Sequence, residues 1–194
     1  LVYSCSDPRT GANVFLARGD GSQPEIEIAG AYADDFSWRG DSTAFAYSSR
    51  RVVNRFNLYT DVYLHALSGK TVALTSGARA RNPTFTTDGE RLLVVTNGAQ
   101  NNQLARLTVD RRTETLTEHT DHTQYTSPRY SPDGRFIAVS RWQDGFQDLW
   151  LMDADGAPAR RLTADLAADI DPRWSADGRT LYFSSDRTGI YNIY

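Results

Sequence analysis

The chain has 194 residues, of which 40% are hydrophobic, 23% charged and 11% aromatic. This composition excludes a disordered tail and a collagen-like chain, and the longest apolar runs, such as Leu92 to Val95, are far shorter than the ~20 residues of a membrane-spanning helix. The net charge of −3, from 21 basic and 24 acidic residues, argues against a general nucleic-acid or anionic-membrane binder. Cys5 is the only cysteine, so an internal disulfide is excluded, and both a cytoplasmic and a periplasmic location stay open.

An aspartate in a turn recurs along the chain at intervals of 47, 45 and 44 residues, at Asp41, Asp88, Asp133 and Asp177. An apolar or aromatic residue lies three positions before each aspartate, and a short apolar run follows each turn. The three later turns carry Asp-Gly, which is a strong signal for a β-hairpin, whereas the first has Gly40-Asp41. The pattern predicts two strands joined by a tight turn in each copy.

Two further elements recur in the same order. The first is a polar amide or carboxylate followed by an aliphatic residue and usually an aromatic one. Its copies begin at Asn13, Asp61, Gln103, Asp148 and Asn192, and the copy at Gln103 is the weakest. The second element closes the repeat as a short strand, at Ile26–Ile28, Val72–Thr75, Thr115–Thr117 and Arg161–Thr163. Each repeat is therefore predicted to supply four short strands.

A period in the low-to-mid forties with four strands per unit is typical of a β-propeller blade, and no long helical periodicity competes with it. We predict an all-β protein, a β-propeller or propeller fragment of four-stranded blades with a repeat of about 45 residues, over residues 1–194. The segment Leu1 to Gly11 matches Leu181 to Gly189 with two inserted residues, so the ends lie in the same phase, 180 residues apart, and the chain touches five blades. We expect an excerpt of a longer propeller; a closed ring with one shared blade is the alternative.

The residues of the later repeats resemble a known family. The run from Ser131 to Ser140, the run from Asp148 to Gly156 and the closing Arg160–Thr163 are similar to a TolB-type, WD-like propeller repeat, and Trp174–Arg179 with Ser184–Gly189 repeats them. The resemblance is strongest from Ser127 onward and weakest around Phe85. It implies a propeller fold and leaves several settings open: the periplasmic scaffold of the Tol–Pal envelope system, the gating propeller of tricorn-like or prolyl-oligopeptidase-like peptidases, and other envelope proteins.

Most motifs that suggest chemistry have a structural interpretation. In the Asp-Gly turns, aspartate caps the turn and glycine supplies the positive φ. Asp153–Gly156 begins like a calcium loop, but Ala164 stands where the twelfth-position glutamate belongs, so a hairpin explains it better. His119 and His122 are the weak candidates for metal ligands, in a polar loop without a supporting cysteine. Gly-x-Ser-x-Gly and a phosphate-binding glycine loop do not occur, so we predict no catalytic residue, no cofactor and no enzymatic activity.

A binding face is the better prediction. In a propeller, the connections between blades and those between second and third strands share one face, and function concentrates on such loops. The segments so assigned are 29–36, 48–61, 76–83, 97–103, 118–128, 141–148 and 164–172, with 48–61 the longest of its kind. The partner-binding candidates are Arg50, Arg51, Arg55, Arg79, Arg81, Trp142 and Phe146. Arginine and exposed aromatic residues favour protein contacts, whereas Tyr125 is predicted to pack under its own loop.

The sequence thus predicts a non-catalytic protein-interaction scaffold of a bacterial envelope, periplasmic by family resemblance. Its partner is expected to be a protein or peptide, not nucleic acid, and this segment is not expected to insert into a membrane. The alternative is the substrate-gating propeller of a prolyl-oligopeptidase-like or tricorn-like serine peptidase whose catalytic domain is not in this chain.

Overall fold

The computed structural model describes residues 1–7, 9, 11–98, 101–157 and 160–194, and these residues form strands, turns and loops. Pro8 and Thr10 of the terminal match, and residues 99 and 100 of one predicted connection, lie outside the described residues. In the ranges that the structure describes, no helix has the length and apolar character to cross a bilayer.

The strands pair in sequence order into small antiparallel sheets. Residues Leu1–Pro83 form one compact unit and Thr84–Tyr194 a second. The first unit contains two sheets: β1 (Val2–Asp7), β2 (Gly11–Leu16) and β3 (Glu25–Ala29), then β4 (Ala33–Trp38), β5 (Ala44–Val53), β6 (Asn57–Ala66) and β7 (Thr71–Ala73).

The third sheet begins with β8 (Arg81–Phe85), which crosses the boundary of the units, and continues with β9 (Arg91–Asn97), β10 (Asn102–Thr108) and β11 (Thr113–Thr115). The last two sheets are β12 (Gln124–Tyr130), β13 (Phe136–Gln143), β14 (Phe146–Asp153) and β15 (Arg160–Arg161), then β16 (Asp169–Trp174), β17 (Leu181–Ser185) and β18 (Asn192–Ile193). The predicted all-β class with four short strands per repeat is confirmed.

Each unit has a core made by its short apolar runs. In the first, Val14, Ala33, Phe45 and Tyr47 are buried together, and the Phe45 ring lies 5.4 Å from the ring of Trp38. Complete burial of a phenylalanine of this kind contributes about 1.5–3 kcal/mol. The core of the second unit combines aliphatic residues of β9, β10, β13 and β14 with the buried ring of Tyr125. These cores hold the sheets rigidly, so the connections start from fixed positions.

The aspartate turns are structural, as predicted. The Ser131 hydroxyl donates to Asp133 Oδ1 (2.6 Å), the backbone N–H of Arg135 donates to the same oxygen (3.1 Å), and Gly134 has φ +72°. In the first copy the glycine position is occupied by Ser42, which takes φ +57° and donates its N–H to the Arg39 carbonyl (2.9 Å). The first copy therefore keeps the turn geometry while its sequence has diverged.

The other two repeat elements hold each other. A threonine of the closing element accepts the backbone N–H of the third strand: Thr75 from Val62, Thr117 from Leu104 and Thr163 from Leu149, at 2.9, 2.9 and 3.0 Å. Each hydroxyl also lies within 2.8–3.5 Å of the polar side chain that begins the other sequence element, Asp61, Gln103 or Asp148. The spacing of the two elements in the sequence reflects this shared contact, and the weak copy at Gln103 makes it as well.

Candidate functional site

The longest predicted connection, 48–61, is mostly strand. β5 and β6 pair without interruption from Ala44↔Ala66 to Val53↔Asn57, and Asn54 and Arg55 in the turn take φ +52° and +66°. Pairing of β5 with β4 ends at Ser49, and pairing of β6 with β7 ends at Tyr63. Residues 50–60 therefore extend beyond both neighbouring strands as a two-stranded ribbon, which we call the projecting ribbon. The prediction of a loop was wrong here because β-branched and aromatic residues continue the strands.

A buried carboxylate holds the base of the projecting ribbon. Asp61, fully buried, accepts hydrogen bonds from Thr75 Oγ1 (2.8 Å) and from the backbone N–H groups of Gly77 (2.9 Å) and Ala78 (3.1 Å). Its Oδ2 also lies 2.9 Å from Nε of Arg51. Burial raises the pKa of Asp61, but these hydrogen bonds, assisted by the Arg51 charge, outweigh burial and bring the pKa below its ordinary value.

Three of the five candidate arginines of the first unit are occupied or partly buried. Arg51 also donates to Ser76 Oγ (2.6 Å), and the Arg79 guanidinium lies 4.5 Å from the centre of the Tyr59 ring and donates to the Tyr59 hydroxyl (3.2 Å). Arg81 is half-buried in β8. Arg50, Arg55 and Arg79 are exposed, but Arg79 is held against Tyr59, so a partner would reach Arg50 and Arg55 without displacing that contact.

The projecting ribbon also exposes apolar side chains that are not among the residues predicted from the sequence. Val52, Phe56 and Leu58 are 66%, 92% and 59% exposed. Val52 lies directly opposite Leu58 in the ladder, so both side chains belong to one face. The signal in the sequence was the strand-like composition between Arg50 and Thr60, which the assignment of a connection obscured.

Trp142 and Phe146, in the second unit, flank a two-residue turn. Asp144 and Gly145 take φ +53° and +89°, the conformation that fits the twist of a tight hairpin. Trp142 is 39% and Phe146 41% exposed. Trp142 pairs with Gln147, and Phe146 with Gln143, so the two aromatic side chains belong to opposite faces of this hairpin. A partner would therefore contact one of the two aromatic side chains, or contact both faces of the hairpin.

The connection before this hairpin is packed, not free. Tyr125 is buried, as predicted, and its hydroxyl lies 2.5 Å from Nε2 of His119. Burial raises the pKa of Tyr125 to about 12. Burial and the nearby Arg141 charge lower the pKa of His119, against a smaller opposing effect of Asp121.

The two metal candidates differ in setting. Nε2 of His119 contacts Tyr125, while His122 is exposed. In the part of the chain that the structure describes, no group of three His, Cys, Asp or Glu residues is placed to hold a metal ion. The calcium-like segment is a turn: the Gly156 N–H donates to the Asp153 carbonyl (2.9 Å) and the Ala157 N–H to Asp155 Oδ1 (3.1 Å).

Sequence comparison identifies the repeat. A family model described as the TolB beta propeller domain matches residues 120–194. A curated relative, the Tol-Pal system protein TolB of Anaeromyxobacter dehalogenans strain 2CP-1, is 53% identical over 45 residues, which cover 23% of this chain and 10% of the relative. Residues 120–194 therefore match the TolB-type repeat. This segment includes the region from Ser127 onward, where the resemblance in the sequence is strongest.

Solved structures extend the likeness to the whole fold. TolB from Acinetobacter baumannii matches 99% of this chain with a TM-score of 0.81 and 21% identity, and a protein described as TolB from Agrobacterium tumefaciens matches 94% with a TM-score of 0.77 and 22% identity. The chain covers 48% and 69% of those two chains. A prolyl endopeptidase matches at a TM-score of 0.53 and 13% identity, with 100% of this chain and 40% of that chain covered. The chain therefore has a β-propeller fold like that of the two TolB structures, and it spans about half of the first.

Proposed function

We propose that this TolB-like propeller chain is a non-catalytic protein-interaction scaffold of a bacterial envelope, working in a Tol–Pal-type system. The observation that carries the proposal is the TolB-type repeat itself, 53% identical over 45 residues to a protein named for the Tol-Pal system. The scaffold role is supported by the projecting ribbon and by the hairpin of residues 142–147, which we call the Trp142 hairpin. Both present exposed side chains on paired strands, apolar and arginine in the ribbon and aromatic in the hairpin.

The proposal places the protein in the periplasm, the compartment implied by the family resemblance. A single cysteine is compatible with this oxidising compartment, since it cannot form an internal disulfide. Osmotic-shock fractionation of cells that express the full-length protein tests the location. The protein is expected in the released fraction, and recovery with a cytoplasmic marker would reject a periplasmic scaffold.

Binding to the other Tol–Pal proteins of the same genome tests the scaffold role. The full-length protein is immobilised, and each purified Tol–Pal component is titrated over it. We expect saturable binding that weakens at least fivefold on Trp142→Ala or Arg55→Glu, because both side chains are exposed on rigid hairpins. Val109→Ala is the matched control, since Val109 is 47% exposed in the turn between β10 and β11, at the other end of its sheet. Absence of binding by the unaltered protein to every component would reject the proposal.

A gating propeller of a serine peptidase is the second candidate, favoured by the fold likeness to a prolyl endopeptidase. The two candidates differ in whether the full-length protein also contains a catalytic domain. Sequencing the gene on both sides of this segment, followed by assay of the purified product on proline-containing peptides, separates the two. If the gene encodes a Gly-x-Ser-x-Gly motif between a strand and a helix, and the product cleaves peptides, the scaffold proposal is rejected in favour of the gating propeller.

A further inference from the structure

The projecting ribbon carries an apolar strip that its own unit leaves uncovered. Val52 and Leu58 form a directly opposed cross-strand pair, and Phe56 stands at the tip with 92% of its surface exposed. Single exposed apolar residues are ordinary, but three within seven residues on one hairpin form a patch suited to contact.

The support beneath this strip is fixed. The next pair in the ladder, Arg51↔Tyr59, belongs to the opposite face, where Arg51 contacts Asp61 and Ser76. Tyr59 is held there by the Arg79 guanidinium. A partner would therefore meet a ribbon that is already ordered, which reduces the entropy lost on binding.

The edge of the ribbon is open to a further strand. β5 continues for four residues, Arg50 to Val53, beyond its last pair with β4. On the side of β5 away from β6, backbone N–H groups can donate hydrogen bonds to an added extended segment, and backbone C=O groups can accept them from it. Arg50 and Val52 point to the same face of this edge because they are two residues apart.

The charge of the ribbon selects the partner. Residues 50–60 contain three arginines and no aspartate or glutamate. Arg51 is paired with Asp61, which leaves the exposed Arg50 and Arg55. Asp34 lines the same shallow pocket as Arg50 and offsets part of its charge, so Arg55 is the stronger attraction for a carboxylate.

We propose that the projecting ribbon binds an extended, acidic–apolar segment of a partner protein by strand addition along Arg50–Val53. Apolar side chains of the segment pack on Val52, Leu58 and Phe56, and carboxylates at alternate positions meet Arg50 and Arg55. The proposal rests on the protein-binding function proposed above and names a surface and a partner chemistry for it. A second copy of the chain is disfavoured, because it would bring two sets of arginines together; a lipid surface would leave the open strand edge unused.

The test uses the full-length protein and a labelled peptide, Asp-Thr-Val-Thr-Val-Thr-Asp, followed by fluorescence anisotropy. We expect saturable binding that weakens by roughly tenfold in the double variant Val52→Thr, Leu58→Thr, which keeps the strand preference and removes the apolar strip. Arg55→Glu should shift the preference to the same peptide with lysine in place of aspartate. Leu166→Ser, which removes another exposed apolar side chain, is the control and should bind like the unaltered protein.

Each other outcome overturns the proposal. The proposal of an acidic partner segment is rejected if the unaltered protein binds the lysine and aspartate peptides equally. It is also rejected if the ribbon variants bind the aspartate peptide as tightly as the control does. Binding to phosphatidylglycerol vesicles that is lost in Phe56→Ser, without peptide binding, assigns the ribbon to a lipid surface. Concentration-dependent dimers that disappear in the same variant assign it to a second copy. If the Tol–Pal components bind the double variant Val52→Thr, Leu58→Thr as tightly as the unaltered protein, this inference fails alone; if they never bind the unaltered protein, the proposed function fails as well.

Discussion

Replacing Asp61 by asparagine should destabilise the first unit, because this buried carboxylate holds the base of the projecting ribbon. It accepts from two backbone N–H groups and one hydroxyl and pairs with Arg51. Asparagine has a single acceptor oxygen, so its NH₂ group must face at least one N–H donor. A hydrogen bond to a charged group contributes about 1.5–3 kcal/mol, and breaking a buried ion pair costs about 3–5 kcal/mol. Arg51 is 40% exposed and can regain water, so we expect a loss near the lower limit, about 3 kcal/mol.

Urea denaturation of the full-length protein measures the effect, with fluorescence and circular dichroism as probes. Asp20→Asn is the control in the same unit, since Asp20 is exposed and accepts a hydrogen bond from the backbone N–H of Ser22. A double-mutant cycle with Arg51→Met should show that the two losses are not additive. If Asp61→Asn changed the unfolding free energy no more than Asp20→Asn, the carboxylate would not be the anchor described.

Asp61 also makes the free energy of unfolding depend on pH. The pKa of Asp61 is lower in the folded state than its ordinary value of 3.8, so the unfolded chain binds the proton more tightly. Its stabilising contribution is complete above pH 3.8 and disappears as the pH falls through the folded pKa. Asp61→Asn should therefore lose this part of the acid dependence.

Three further predictions concern the turns and the second unit. Ser42→Gly should raise the unfolding free energy by about 1 kcal/mol, seen as a higher denaturation midpoint, because serine holds φ +57° where later repeats have glycine. Gly156→Ala should cost more than Gly189→Ala: both have φ near +90°, but a Cβ at Gly156 would lie 2.7 Å from the Leu116 carbonyl, whereas Gly189 faces open space; equal costs by denaturation would refute the steric argument. His119 should titrate below 6.5 by NMR, with stability falling as the pH drops from 6.5 through the folded pKa; a value above 6.5 would show that burial does not control it.

The fold class could be predicted because the residues that form the repeated turns act locally and are recognisable in the sequence. Asp133 and Gly134 specify a turn by themselves, and the recurrence of this pattern every 44 to 47 residues specifies blades. The contact of Thr75 with Asp61 is also reflected in the sequence, because the two elements are 14 or 15 residues apart in each of the three copies. Ser42 shows the limit of such inference: its unusual φ is imposed by the surrounding strands, and only the register reveals it.

The candidate site was less predictable because exposure is a tertiary property. Arg50 and Arg51 are adjacent and chemically identical, yet alternate side-chain directions expose one and pair the other with Asp61. Likewise, the strand character of Val52 and Leu58 indicated that they belong to strands, but not that β4 and β7 end before reaching them. Their exposure became visible only when the lengths of neighbouring strands were known.

Photo-crosslinking in living cells shows whether the projecting ribbon and the Trp142 hairpin contact other proteins. Benzoyl-phenylalanine is placed at Phe56 or Phe146, on the projecting ribbon and the Trp142 hairpin, and at Leu67 or Val109 as controls, which are 40% and 47% exposed in turns at the other end of their sheets. We expect discrete protein adducts at Phe56 and Phe146 that are absent at both controls. Adducts of equal intensity at all four positions, or none at the first two, would contradict this expectation.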